Sequence, residues 1–219
     1  MILHYFDCRG LAETSRYLLA LAETPYTDRR LPLAFGTPGD LSTVDRAAFD
    51  AAQPAGEFVA GMDKVPILEL EEGGHCIAQS KSIERFLAAR TGMLGNTAVE
   101  AAQIDAVAEH VRDIKQAYQK VRSIDGEEAK QKAMDGWFDE TLPAHSAKLD
   151  AALPVCVASC VGVTLAHVAI YVFYTQYVDR AADARQALAG CPQLARIVDY
   201  VQGQPAVEKW EAERPRTDF

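Results

Sequence analysis

The hydrophobic period of this chain changes character once, near Arg90, and does not change back. Before that point short apolar runs, helical spacing and turn residues alternate every few positions. After it, helical spacing continues almost to the last residue. Such a pattern specifies a small mixed α/β layer followed by a helical region.

In the first part, residues 2–5 form a short apolar run suited to a buried strand. Leu11, Ser15, Leu18, Leu19 and Ala22 then recur at helical spacing, with Glu13 early in that helix. Residues 26–33 predict a second strand. Residues 36–61 are rich in Gly, Pro and Ala and read as a long loop with at most one short helix, over 45–52. Residues 65–70 predict a strand, Gly73-Gly74 a tight turn, and 75–78 its antiparallel partner. Ser80 predicts the N-cap of a helix through Arg90. The expected order is β-α-β-loop-β-β-α.

Residues 91–96, with two glycines, read as a linker. Ile104, Val107, Val111, Ile114, Tyr118 and Val121 mark one face of a long helix. A second long helix is expected over 127–152, bent or broken near Pro143. A buried one follows over 164–178, and Pro192 and Pro205 each open a terminal helix. The expected organisation is an α/β domain at 1–90, a linker at 91–97 and an all-α domain at 98–219.

The 24 residues 151–174 carry no formal charge apart from a proton on His167, and length alone admits a membrane span. Pro154, Gly162, Cys156, Cys160, Ser159 and Thr164 interrupt it, so we read a loop followed by a buried core helix. The formal net charge of −9 argues against nucleic acid or an anionic membrane as partner. An anionic substrate must therefore find local positive charge or backbone N–H groups. Five cysteines, with no Cys-x-x-Cys pair and no leader-like start, predict a reducing, cytoplasmic setting. Cys156 and Cys160 have no further ligands close in sequence, so no metal is expected.

Three pieces of sequence now combine. Leu3-His4-Tyr5-Phe6 leads into Arg9-Gly10-Leu11-Ala12-Glu13. Lys64-Val65-Pro66-Ile67-Leu68-Glu69 is followed by Gln79-Ser80 at a helix start. Pro205-Ala206-Val207 runs on to Arg214-Pro215. Together they resemble the cytosolic glutathione transferases, most closely the tyrosine-type sigma-, pi- and mu-like classes. The resemblance covers essentially the whole chain. It implies a thioredoxin-like glutathione-binding domain and an all-helical domain carrying part of the electrophile site. It also implies glutathione as co-substrate with no cofactor, a small hydrophobic electrophile as second substrate, a detoxifying role and a homodimer.

Glutathione carries two carboxylates, an ammonium and a thiol, and each makes a demand. The resemblance makes the Val65-Pro66 bond cis, which offers the Val65 backbone to the cysteinyl backbone of the ligand. Read alone, Pro66 is equally a strand-start proline. Gln79 and the helix N-terminus at Ser80 suit the γ-glutamyl carboxylate, although Ser80 can simply cap its own helix. Asp105, Glu109 and Asp113 recur every fourth residue. That spacing ordinarily makes a solvated face, but the resemblance assigns Asp113 to the ligand ammonium of a neighbouring subunit. A free thiol is only a few per cent ionised at pH 7. Lowering its pKa by about two units requires about 2.7 kcal/mol. A hydroxyl hydrogen bond beside a helix N-terminus is of that order. The resemblance gives this catalytic role to Tyr5, which otherwise reads as a strand-end core tyrosine. His4, on the other face of the strand, reads as structural.

The chain departs from the family pattern in three places. The family often has a Trp and a Lys in the loop before Lys64. Residues 36–61 have neither and offer only Arg46, Phe49 and Gln53, so the group binding the glycine carboxylate stays open, with Lys64 and Gln53 as candidates. Leu11 stands where the family commonly has a second Arg that helps polarise the thiolate, leaving Arg9 as a supporting candidate. His167 replaces the usual Asp in a capping box, predicting a weaker cap. The electrophile pocket is expected around Asp7, Cys8, Tyr118 and the chain end.

Three functions follow: a transferase, with isomerase chemistry as a branch; a catalytically weak ligand-binding protein on the same fold; and a thiol–disulfide enzyme using Cys8, whose thiol Arg9 would acidify.

Overall fold

The computed structural model describes residues 1–36 and 43–217. Its chain divides into two compact units, Met1–Thr91 together with the stretch from Pro205, and Gly92–Gln204.

The first unit is built on a mixed four-stranded sheet. Strands β1 (Ile2–Phe6), β2 (Thr27–Leu31), β5 (Ile67–Glu69) and β6 (Cys76–Ala78) lie in the order β2-β1-β5-β6. β1 pairs parallel to β2 and antiparallel to β5, and β5 pairs antiparallel to β6. Parallel pairing of consecutive strands needs a crossover, which α1 (Glu13–Leu21) provides after a 3-10 turn over Gly10–Ala12. Leu11, expected among the apolar helix positions, sits on that turn with 51% of its surface exposed. Two-residue strands β3 (Ala34–Phe35) and β4 (Val44–Asp45) pair with each other, and α2 (Ala47–Ala52) occupies the expected short-helix position. Residues 37–42 of the expected loop lie outside the described residues.

Phe49 and Phe58 stack at 4.8 Å and pack with Leu31 and Ile67, and Phe6 closes the cluster at 5.2 Å from Phe49. This apolar content holds the loop against the sheet at about 25 cal/mol per Å² buried. Helix α3 (Ser80–Arg90) begins one residue after its N-cap, which is Gln79 and not Ser80. The Gln79 carbonyl accepts the first helical bond, from the Ile83 N–H at 3.0 Å, and no side chain caps the helix.

The chain end departs from the expected 98–219 domain. The final helix packs on α1, so its segment belongs to the first unit. That helix covers a side of α1 that would otherwise face water, which is why seven consecutive residues, Glu13 to Leu19, are buried.

The second unit is helical: α4 (Ala98–Arg122), α5 (Glu127–Gly136), α6 (Leu142–Ala152), α7 (Val155–Ala158), α8 (Leu165–Val172), α9 (Ala181–Gln186) and α10 (Pro192–Gln202). The last helix of the chain, α11 (Pro205–Glu213), is the one that joins the first unit. The expected helix over 127–152 is broken by a π-helical segment, Trp137–Thr141, just ahead of Pro143. Proline lacks an N–H and crowds the preceding turn, so a register shift upstream relieves it. Helix α4 starts with a complete capping box between Thr97 and Glu100.

The uncharged stretch 151–174 is split between the four-residue α7 and the buried α8. Among the described residues no helix is long and apolar enough to cross a membrane. The cap of α8 is more complete than expected. His167 is fully buried; its Nδ1 accepts the Thr164 N–H at 3.0 Å and its Nε2 lies 2.6 Å from the Val157 carbonyl. A carbonyl only accepts, so Nε2 carries the proton and the ring is neutral with both nitrogens bonded. Burial pushes the His167 pKa below its ordinary value.

Candidate active site

The sheet register gathers the expected residues. His4 pairs with Ile67, and Ile67 with Ala78. One rung further along these three adjacent strands stand Tyr5, Pro66 and Gln79. They occupy one end of the sheet because β1 and β6 finish where β5 begins. The Val65–Pro66 peptide bond is cis. Met62 (φ 55°), Asp63 (φ 58°) and Gln79 (φ 70°) are non-glycine residues at positive φ beside these strand ends. Backbone held in such conformations concentrates at functional sites.

Tyr5 is buried at the end of β1, and its hydroxyl oxygen accepts the Leu11 N–H at 3.0 Å. That N–H belongs to the turn opening α1, where helix geometry leaves donors without helical acceptors. A donor on the phenolic oxygen polarises the O–H and makes it a stronger donor in turn. Gly10, at φ 42°, lies directly against the phenol: a Cβ there would come within 2.5 Å of the Tyr5 oxygen. Only glycine fits this contact without displacing the ring.

Near Pro66, Lys64 is exposed. The Gln53 side chain donates to the Asp63 carbonyl at 3.1 Å, so it braces the backbone before Lys64. Arg46 pairs with Asp50 and lies over the Phe49 ring, and Phe49 is itself core. Gln79 is exposed and Ser80 half-buried at the first turn of α3. Asp113 is exposed on α4, in the second unit. His4 bridges β1 to its neighbours: Arg29 donates to its Nδ1 at 3.3 Å, and its Nε2 meets Glu69 at 3.1 Å.

Two candidates, Cys8 and Tyr118, are placed differently from expectation. Cys8 is buried, and burial outweighs the nearby guanidinium groups, pushing its thiol up to about 11. At that value about one molecule in 10⁴ carries a thiolate at pH 7. Tyr118 is fully buried in the second unit, packed on Trp137 and Phe138, with its hydroxyl donating to the Asp179 carboxylate and accepting the Asp179 N–H. It is a core residue there, not a pocket wall. Asp7 is exposed, but its carboxylate is engaged by Arg30 at 3.0 Å.

Sequence reasoning missed a charged cluster beneath Tyr5. Arg16 has 0% exposure and pairs with Glu13 at 3.2 Å and Asp28 at 3.1 Å. Glu13, also buried, meets Arg214 at 2.6 Å and the Trp210 indole N–H at 3.2 Å. The signal available was Glu13 and Arg16 at i, i+3 within a helix rich in apolar residues. What hid it was the long-range cover from α11.

No family model matches the chain. It is 30% identical to hematopoietic prostaglandin D synthase of Gallus gallus, over 98% of this chain and 96% of that protein. It is 27% identical to glutathione S-transferase 1 of Ascaris suum, over 99% and 98%. The solved structure of rat hPGDS complexed with a quinoline superposes with a TM-score of 0.76 at 25% identity, covering 100% of this chain and 98% of that one. With full-length similarity at this level and the same two-part architecture, the chain belongs to the cytosolic glutathione transferase family, on the sigma-, pi- and mu-like side.

Proposed function

We propose that the protein is a glutathione transferase that adds the glutathione thiolate to small hydrophobic electrophiles, with the Tyr5 hydroxyl stabilising the sulfur anion. The observation that carries this reading is the Tyr5 oxygen held by the Leu11 N–H at the end of the sheet where Pro66 and Gln79 also lie. In this reading the Val65 backbone pairs with the cysteinyl backbone, with Lys64 alongside. The first-turn N–H groups of α3, at Ser80, and the Gln79 side chain receive the γ-glutamyl carboxylate. Asp113 of a second copy meets the ammonium across a two-fold axis, which makes the working form a homodimer. Prostaglandin-type isomerisation is a branch of the same chemistry, since it needs the same thiolate.

Tyr5→Phe is the test. It removes the O–H and leaves the binding groups intact. Conjugation of glutathione to a generic aromatic halide is expected to fall about 10²-fold, with glutathione affinity nearly unchanged. Unchanged turnover in the variant would remove Tyr5 from the mechanism.

A second reading, a catalytically weak ligand-binding protein, is favoured by exposed Leu11 at the position where the family pattern has an arginine. Retention on immobilised glutathione without turnover of any electrophile would select it. The Cys8 thiol–disulfide reading loses its footing with the burial and raised pKa of that thiol.

A further inference from the structure

We propose that Arg16 is a positioning residue for the Tyr5 hydroxyl, acting through the Cys8–Leu11 turn. Its guanidinium donates to the Cys8 carbonyl at 2.6 Å and approaches the Arg9 carbonyl at 3.4 Å. The same fork meets Glu13 on its own helix and Asp28 on β2. One side chain thus fixes the turn against both the helix that follows it and the neighbouring strand. The Leu11 N–H that reaches the Tyr5 oxygen lies one peptide unit beyond the anchored Arg9 carbonyl and two beyond that of Cys8. Between them lies only Gly10, pressed against the phenol ring. A shift of the turn by a fraction of an ångström is therefore passed directly to a hydrogen bond whose strength falls steeply with distance.

The Arg16 guanidinium carbon lies 5.9 Å from the Tyr5 ring centre, with Glu13 and Asp28 as its ion-pair partners. Lysine cannot replace it: one ammonium has no planar fork with which to serve two carbonyls and two carboxylates at once. Glu13 is held from its other oxygen by Arg214 and Trp210, which keeps the carboxylate in place for Arg16.

The consequence for turnover rests on the thiolate reading given above, but the primary measurement does not. It is the ionisation of the Tyr5 phenol in glutathione-free protein, read by absorbance as wild type minus Tyr5→Phe. In Arg16→Lys, with folding checked by circular dichroism, the Tyr5 pKa is expected to rise by about one unit. Then kcat/KM at neutral pH falls about tenfold while KM for glutathione moves less than about threefold. A folded Arg16→Lys protein with the wild-type Tyr5 pKa overturns the proposal.

Should Arg16→Lys fail to fold, Asp28→Asn serves. It releases the β2 anchor of the fork and leaves its carbonyl contacts. A smaller upward shift supports the proposal and no shift overturns it. The two readings separate cleanly. A Tyr5→Phe protein with normal conjugation sinks the thiolate reading alone, whereas an unmoved Tyr5 titration in the Arg16 and Asp28 variants sinks this one alone.

Discussion

Gly10→Ala tests the contact on which the site depends. The added Cβ would stand 2.5 Å from the Tyr5 oxygen and 2.9 and 3.1 Å from two ring carbons. Ordinary carbon contacts begin near about 3.5 Å, so the phenol must retreat by roughly 1 Å. The Leu11 N–H bond, now 3.0 Å, then stretches to about 4 Å and is lost. Two costs follow. Alanine at φ 42° costs about 1–2 kcal/mol. The lost hydrogen bond adds about 1 kcal/mol, and the displaced ring a comparable amount. The sum, about 3–4 kcal/mol, corresponds to a melting temperature lower by roughly 6–16 °C for a chain of this size.

Gly74→Ala is the matched control. It lies in the same unit at φ 63° with nothing within 4 Å of a new Cβ, so it carries the backbone cost alone. The assay is a thermal melt of both variants, with absorbance titration of the bound glutathione thiolate. Gly10→Ala should raise the thiolate pKa by about 0.7–1 unit, the equivalent of about 1 kcal/mol. Gly74→Ala should leave it unchanged. Equal melting temperatures and equal thiolate pKa values in the two variants would refute the reasoning, because the clash with Tyr5 would then have no consequence.

Three further outcomes are expected. In native protein, iodoacetamide should modify exposed Cys76 and spare buried Cys8, as read by peptide mass mapping; rapid labelling of Cys8 would contradict its burial and raised pKa. Tyr118→Phe should cost about 1 kcal/mol in urea melts, through its bonds to Asp179, and leave the KM for the electrophile unchanged. Stability should be acid-sensitive through His167. Its pKa is lowered in the folded protein, so its contribution is fully present above the unfolded value of about 6.5 and is lost as pH falls below it. Urea midpoints that decline on acidification in the wild type, and decline less in His167→Gln, would bear this out. Equal slopes would assign the acid sensitivity elsewhere.

Local information was enough for every feature that depends on near neighbours. The strand at Ile2–Phe6, the hairpin around Gly73-Gly74, the break before Pro143 and the proline-led helices at Pro192 and Pro205 follow from periodicity and turn chemistry. Tyr5, Pro66 and Gln79 could be named from the sequence because their spacing is itself a motif. That they lie on one rung is a matter of strand order. β5 is inserted beside β1 although it follows some sixty residues later, and nothing within either segment encodes that pairing.

Tertiary structure alone decided the rest, and the reason is desolvation. Cys8 beside Arg9 reads as an acidified thiol until burial reverses the sign. Tyr118 reads as a pocket residue until Asp179 takes up its hydroxyl. Nothing local marks Glu13 and Arg16 as a buried pair behind Tyr5; the chain end brings Arg214 and Trp210 onto Glu13. The sequence by itself determined which groups the site has to work with. The long-range cover determined which of them water still reaches, and with that their charge, their partners and their use.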